Sequence, residues 1–190
     1  MHKISSSAGN LLITGDPGVG KTTLIVSLLP HLRVYRPAGF FTREIRDKGV
    51  RAGFELISLS GPSMVLAHTG IRSPDRVGKY GVDINGFDRY LETLRGSLTD
   101  HGLVIIDEIG KMEVLSVKFR ELVTDILDGD VPLLATIGRR GDAFTERIKK
   151  RPDVRLVELT RTNRGGIAGA ILPVIREMMA NAEGAGRKDP

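Results

Sequence analysis

Short apolar runs alternate with amphipathic segments along most of the chain. Three of the runs are rich in leucine and isoleucine and are followed at once by glycine or aspartate: NLLIT, LVII and PLLATI. Such runs are typical of strands buried in a parallel sheet, and the segments between them repeat apolar residues at helical spacing. The pattern therefore predicts an α/β fold with helices on both faces of a mainly parallel sheet. The predicted strands are 10–14, 40–46, 51–59, 64–67, 103–106, 132–137 and 154–159, and the predicted helices are 21–32, 87–98, 115–126 and 167–178.

Turn signals divide the rest of the chain. Residues 40–46 and 51–59 flank Asp47-Lys48-Gly49, which predicts a β-hairpin inserted into the fold. Residues 61–81 are rich in glycine, proline and charge, so loop is expected there apart from the short strand. Polar or glycine-rich ends predict flexible tails at 1–8 and 181–190, which leaves 9–180 as a single domain.

Composition excludes several classes of protein. The 190 residues contain no cysteine, so a disulfide framework and a thiolate metal site are excluded. The chain shows neither a signal peptide nor an apolar run of membrane-spanning length, so we expect a cytoplasmic protein with no membrane partner. The net charge of +5 suits polyphosphate substrates and would equally suit RNA. Few aromatic residues lie among the scattered Arg and Lys, so a nucleic-acid partner is unsupported.

A phosphate-binding motif follows the first predicted strand. Residues 15–22 read GDPGVGKT and match GxxxxGK[ST], the Walker A motif, between a strand and a helix. Its glycines let successive backbone N–H groups point inward as an anion nest, to which the helix N-terminus adds. We expect Lys21 to reach the β- and γ-phosphates as a catalytic residue, and the Thr22 hydroxyl to ligate Mg²⁺. The predicted nucleotide-binding residues here are Gly15, Asp16, Pro17, Gly18, Val19, Gly20, Lys21, Thr22 and Thr23.

An acidic pair ends the LVII strand. Asp107 is the Walker B candidate, expected to bind nucleotide and to support Mg²⁺ through water. Glu108 follows on the opposite pleat, where its carboxylate is expected to polarise the attacking water as a general base. The alternative is that Glu108 is a solvated residue at a strand end or a helix-capping acid.

Residues 107–110, DEIG, also match the DxxG motif of switch GTPases. Those proteins need a second motif, [NT]KxD, whose aspartate binds guanine. The nearest match is TRTN at 160–163, which has Arg for Lys and Asn for Asp. A loop of this kind is expected to contact the base without choosing strongly among bases, so a guanine-specific switch is disfavoured.

Four further residues are candidates for nucleotide binding. Thr136 lies near the end of the PLLATI strand. It is expected to sense the γ-phosphate, and the alternative is a buried, satisfied hydroxyl. Arg139 and the arginine-rich segment 72–79 are each candidates for a lid or for an arginine that neutralises charge on the phosphates. The alternative is that their charges are simply solvated in loops. Asn163 and Arg164 close the TRTNR segment beside the expected base.

Several longer motifs resemble one family. They are GDPGVGKTT, GFFTREIR with GFELI, VGKYGVDINGF, DEIGKME and LTRTNR, and they span residues 11–164. The chain resembles the thermophilic-type nucleoside-triphosphatases, which include the cancer-related nucleoside-triphosphatase. The resemblance implies a three-layer P-loop fold of the RecA-like, additional-strand type. It also implies the roles given above for Lys21, Thr22, Asp107 and Glu108. Lys111 and Glu113 share the DEIGKME motif without a derived role.

The expected activity is slow, Mg²⁺-dependent hydrolysis of nucleoside triphosphates (ATP, GTP, CTP and UTP) to diphosphate and phosphate. Two alternatives stay open at this point. One is a kinase-like phosphotransferase that acts on a nucleotide or polynucleotide. The other is a nucleotide-dependent switch or adaptor that works with an unidentified protein partner.

Overall fold

The alternating pattern folds into a mixed sheet with helices packed on both faces. The structure is a computed structural model that describes residues 9–185. Within that range the strands are β1 (Asn10–Gly15), β2 (Pro37–Asp47), β3 (Val50–Ser58), β4 (Met64–His68), β5 (Arg76–Val77), β6 (Tyr80–Val82), β7 (Leu103–Ile109), β8 (Leu133–Gly138) and β9 (Val154–Glu158). The α-helices in the same range are α1 (Lys21–Leu32), α2 (Ile84–Ser97), α3 (Val117–Asp128), α4 (Ala143–Lys149) and α5 (Ile167–Ala185).

The strand order brings the ends of the two motif-bearing strands close together. The order is β5-β6-β4-β3-β2-β7-β8-β1-β9 over the described residues. Strands β2, β7, β8, β1 and β9 pair in parallel, and the remaining strands extend the sheet in antiparallel fashion. Strand β8 lies between β1 and β7, as the additional-strand type requires. The carboxyl ends of these three strands therefore meet at the edge where ligands bind in open α/β sheets.

Alternating side chains of the central strands build two cores. On β7, Leu103 and Ile105 pack with the apolar residues of α1 and α5, whereas Val104 and Ile106 pack with those of α2 and α3. All four are fully buried, and each such side chain contributes about 1.5–3 kcal/mol by leaving water. The strand that carries the acidic pair is thus held from both faces.

The antiparallel part of the sheet is larger than the sequence predicts. The expected hairpin is present as β2 and β3, and the short strand at 64–67 is present as β4. The expected loop at 61–81 also contains β5 and most of β6. These strands are only two and three residues long, too short for a period of their own. They form because the edge of β4 offers unpaired backbone groups.

Helix boundaries also differ from the expected ones. Helix α2 begins three residues early because Asp83 caps it, accepting the backbone N–H of Gly86 at 2.9 Å. Helix α4 was not predicted; it is a short segment capped by Asp142, which accepts the N–H of Thr145 at 3.0 Å.

The chain ends bear on the predicted domain limits. Helix α5 continues to Ala185, so residues 181–185 of the predicted C-terminal tail are helical. Residues 1–8 and 186–190, where the rest of both tails was placed, lie outside the described residues. The single domain at 9–180 stays a prediction. Across residues 9–185, every helix is too short or too polar to cross a membrane.

Candidate active site

The loop between β1 and α1 has the shape of an anion-binding nest. Gly18 and Gly20 adopt φ values of +73° and +111°, a left-handed conformation that other residues rarely take. Gly20 is the N-cap of α1, and within the described residues no side chain caps this end of the helix. The first N–H groups of α1 are therefore free to receive an anion. Asp16, Pro17 and Gly18 are exposed at the tip of the loop.

Lys21 is enclosed behind this loop. Its side chain is only 8% exposed, and its Nζ lies 3.3 Å from the carbonyl oxygen of Gly15 and 3.3 Å from Glu108 Oε2. Glu108 itself is 33% exposed, so the ion pair faces the open side of the loop. The predicted catalytic pair, Lys21 and Glu108, is in direct contact.

Asp107 is fully buried between two hydroxyl donors. Thr22 Oγ1 donates to its Oδ2 at 2.6 Å, and Thr136 Oγ1 donates to its Oδ1 at 2.5 Å. Burial raises the pKa of the Asp107 carboxyl, while both hydroxyls and the nearby Lys21 ammonium act in the opposite direction. Thr136 therefore lies at the site, bonded to the acid rather than free at its surface.

A local irregularity in β7 brings both acids to the loop. Ile106 pairs with Ala135 and Ile109 with Ile137, so two residues of β7 stand opposite Thr136 alone. The peptide bond between the two residues, Asp107 and Glu108, is cis. Strict alternation would point their side chains to opposite faces, as the sequence predicts, but in the structure both carboxylates contact the first turn of α1.

Glu113 is a buried acid at this site whose role the sequence does not reveal. It begins the 3₁₀ turn Glu113–Leu115 and is 5% exposed. Burial, together with the carboxylates of Glu108 and Asp107, raises the pKa of Glu113 to about 8. Its place in the DEIGKME motif was the only sequence signal, because an isolated Glu gives no sign of burial.

Arg139 lies at the rim of the phosphate loop. Its guanidinium contacts Asp16 Oδ1 at 3.0 Å and Glu158 Oε1 at 3.0 Å, and its side chain is 52% exposed. The arginine thus joins the tip of the loop to the end of β9. The other arginine-rich candidate segment, 72–79, contains β5 at the far end of the strand order.

The segment after β9 passes close to the phosphate loop, since Leu159 N donates to the carbonyl oxygen of Thr14 at 2.7 Å. The Asn163 side chain shapes this segment: its Oδ1 accepts the Thr160 N–H at 2.8 Å, and its Nδ2 donates to the Glu158 carbonyl at 2.9 Å. Both ends of the amide are therefore engaged locally. Arg164 is exposed on the same segment, and Thr23 is exposed on the first turn of α1.

A cavity of about 860 Å³ lies elsewhere, between β4 and the first turns of α2. It is lined in part by Met64, His68, Arg89 and Tyr90, and the phosphate loop and the acidic pair are not among its lining residues. The volume of a cavity is a weaker guide to chemistry than the charged groups that line it, so we place the site at the loop.

The donor set at the loop fits Mg²⁺. The Thr22 hydroxyl and the Asp107 carboxylate are oxygen ligands in mutual contact. Residues 9–185 contain no group of three or more His, Cys, Asp or Glu side chains arranged as a metal cage. Mg²⁺ needs no such cage, because it keeps several waters and binds substrate phosphates besides one or two protein groups. The pair formed by Thr22 and Asp107 is therefore a suitable site for it.

The site combines a glycine loop, an enclosed lysine, and a threonine next to that lysine which is hydrogen-bonded to an acid two strands away. This combination defines a P-loop nucleotide-binding protein of the additional-strand type. A family model described as NTPase matches residues 10–172. The chain belongs to this NTPase family, as the motif resemblance implied.

Known proteins are similar to this chain along nearly its whole length. Nucleoside-triphosphatase THEP1 of Thermotoga petrophila is 46% identical over 167 residues, which cover 87% of this chain and 92% of the relative. The cancer-related nucleoside-triphosphatase homolog of Mus musculus is 36% identical over 185 residues, 88% of this chain and 96% of the relative. The crystal structure of THEP1 from Aquifex aeolicus superposes with a TM-score of 0.77 at 39% identity, covering 87% and 98% of the two chains. This chain therefore shares the fold of that THEP1 structure and is similar in sequence to both relatives over most of its length.

Proposed function

We propose that the chain hydrolyses nucleoside triphosphates to nucleoside diphosphate and phosphate, with Mg²⁺ as cofactor and without a strong preference among ATP, GTP, CTP and UTP. The contact of Lys21 with Glu108 at 3.3 Å, beside the bond from Thr22 to Asp107 at 2.6 Å, carries the proposal. These two contacts bring a phosphate-binding cation, a general-base candidate and a metal site together at the carboxyl ends of the central strands. The names of the relatives, nucleoside-triphosphatases, agree with it.

Binding begins with an exchange of partners at Lys21. The uncapped N–H groups of α1 and the glycine loop receive the phosphates. A triphosphate then competes with Glu108 and the Gly15 carbonyl for the Lys21 ammonium. Once released, the Glu108 carboxylate is free to orient a water and to accept its proton during attack on the γ-phosphate.

Thr22 and Asp107 would hold Mg²⁺, the latter through water. When bound, the ion neutralises charge on the β- and γ-phosphate oxygens. Burial raises the pKa of Asp107, and its two hydroxyl donors and Lys21 offset part of that effect.

Broad base specificity is supported by the loop after β9. The guanine-selecting aspartate of switch GTPases is replaced by Asn163. Both polar ends of the Asn163 side chain are used within its own loop. A base placed there meets backbone and exposed side chains rather than a dedicated carboxylate.

The test is phosphate release from the four triphosphates, with and without Mg²⁺, by the wild-type protein and Glu108→Gln. We expect wild-type release to require Mg²⁺, and the variant to keep nucleotide binding while losing roughly 10²- to 10⁴-fold in turnover. Glu177→Gln, at an exposed position on α5, is the matched control and should behave as wild type. Undiminished hydrolysis by Glu108→Gln would refute its role.

The same experiment separates the alternatives if the γ-phosphate is labelled. Label on an added nucleotide or polynucleotide, instead of in free phosphate, indicates a phosphotransferase. Tight binding of triphosphate with negligible release indicates a switch or adaptor.

A further inference from the structure

Two acidic side chains converge over Gly110. A Cβ atom placed on this residue would lie 2.9 Å from Glu108 Cγ, 2.9 Å from Glu113 Oε2 and 3.1 Å from Glu108 Oε1. Gly110 lies outside the left-handed region, so its backbone conformation does not require glycine. The side chains of Glu108 and Glu113 both border the space above its Cα, so a larger residue here would displace them.

Glu113 is held firmly in this position. Its side chain is only 5% exposed. The turn that carries it is fixed to α3, since Arg120 Nε donates to the Val114 carbonyl at 2.6 Å and Ser116 Oγ accepts the Phe119 N–H at 3.0 Å. A buried acid on a turn that is fixed in this way can limit the positions open to a neighbouring side chain.

Two neighbouring carboxylates repel each other unless one holds a proton. The charged groups around Glu113 are Glu108 and Asp107 on β7, then Lys21 on α1 beyond Glu108. On the other side, Arg120 of α3 binds the Val114 carbonyl, and Asp88 of α2 accepts the Ser116 hydroxyl. Burial and the carboxylates of Glu108 and Asp107 raise the pKa of Glu113 to about 8, which favours its protonated form at neutral pH.

We propose that Glu113 is a positioning residue, which holds the Glu108 carboxylate toward the phosphate loop because both side chains border the same space over Gly110. This inference rests on the proposed function, since it assigns Glu108 the role of general base. It explains what holds Glu108 once Lys21 has turned to the phosphates. The 3.3 Å ion pair is then lost, and Glu113 remains as its neighbour.

The test compares Glu113→Gln, Glu113→Ala and Gly110→Ala with wild type in steady-state hydrolysis. Glutamine keeps the shape of the side chain and has an N–H donor, so Glu113→Gln should stay within about threefold of the wild-type kcat. A change of that size is far smaller than the loss expected when a reacting group is misplaced. Glu113→Ala should lose about 10²-fold in kcat with little change in KM, the scale of a misplaced reacting group. Gly110→Ala removes no ionisable group but displaces both acids, so it should lose kcat as well.

The pH profile separates positioning from a merely structural role. Wild-type kcat should fall as the pH rises past about 8, where Glu113 ionises and repels Glu108. Glu113→Gln should lack this fall, because an amide does not ionise. Circular dichroism and binding of a fluorescent triphosphate analogue check that each variant is folded, and Glu177→Gln is the matched control.

Each result decides the matter. A folded Glu113→Ala with wild-type kcat overturns the inference, and so does a Glu113→Gln that loses as much as Glu113→Ala or keeps the alkaline fall. If Glu113→Ala does not fold, the profiles of Glu113→Gln and Gly110→Ala still decide. Wild-type protein that binds triphosphate without releasing phosphate overturns the proposed function itself, which is a distinguishable outcome.

Discussion

Replacing Glu113 by Gln should make the protein more stable at alkaline pH than the wild type. Burial first, and then the carboxylates of Glu108 and Asp107, raise the pKa of Glu113 from its ordinary 4.5 to about 8. Between those two values the native protein keeps a proton that the unfolded chain has released. Because the unfolded state then binds fewer protons, the free energy of unfolding falls as the pH rises through this window.

The size of the effect follows from the width of the window. Each pH unit within it lowers the free energy of unfolding by about 1.4 kcal/mol. Over the whole window, from the ordinary 4.5 to about 8, the group therefore removes on the order of 5 kcal/mol. A domain of this size is stable by roughly 5–15 kcal/mol in all, so the effect is large. Above the folded pKa the loss stays constant, because Glu113 is then ionised in both states.

The assay is denaturant unfolding of wild type and Glu113→Gln from about pH 5 to about pH 9. The difference in free energy between the two proteins should start small, grow through the window and level off. Taking the difference cancels groups that titrate in both proteins, and Glu177→Gln, at an exposed position on α5, is the matched control. A flat difference for Glu113→Gln would show that Glu113 is ionised in the native protein, and the argument from burial would fail.

Three further changes test other parts of the structure. Thr136→Val removes one of the two hydroxyls that donate to Asp107, so the Mg²⁺ concentration for half-maximal hydrolysis should rise about 10-fold, as when a group that orients a metal-binding carboxylate is lost; an unchanged Mg²⁺ titration would count against it. Phe40→Ala removes a fully buried ring that meets the rings of α2 and α3, and urea unfolding should show a loss of about 3–5 kcal/mol. Arg139→Gln breaks an exposed pair with Asp16, so thermal denaturation should show an unchanged midpoint; a clear fall would mean that the pair is structural.

The phosphate loop and the acidic pair could be predicted because each is contiguous in sequence. GDPGVGKT contains all the glycines, the lysine and the threonine that its geometry needs. The contact between the two motifs joins residues 85 positions apart, Thr22 and Asp107. It was nevertheless predictable, because the carboxyl ends of parallel strands meet at one edge of a sheet. Contiguous motifs and a simple topology therefore account for most of the site.

Elements that depend on distant partners were not predictable. Strands β5 and β6 exist because β4 leaves backbone groups unpaired, and their own residues carry no strand period. Helix α4 spans seven residues and is stabilised by packing of Phe144 and Ile148 against the core. A stretch of that length is not stable as an isolated helix. In both cases the tertiary contacts, rather than the local sequence, decide the structure.

Gly110 shows how one residue supports two interpretations until its surroundings are known. In sequence it completes DxxG, the motif of switch GTPases. In the structure its Cα lies under the side chains of Glu108 and Glu113, and any larger residue would meet both acids at 2.9 Å. The glycine is therefore explained by the packing of two carboxyl groups, one of which is buried by a turn that begins three residues later. Because that burial depends on α3 and β7 together, the pairing of the acids could be found only from the folded structure.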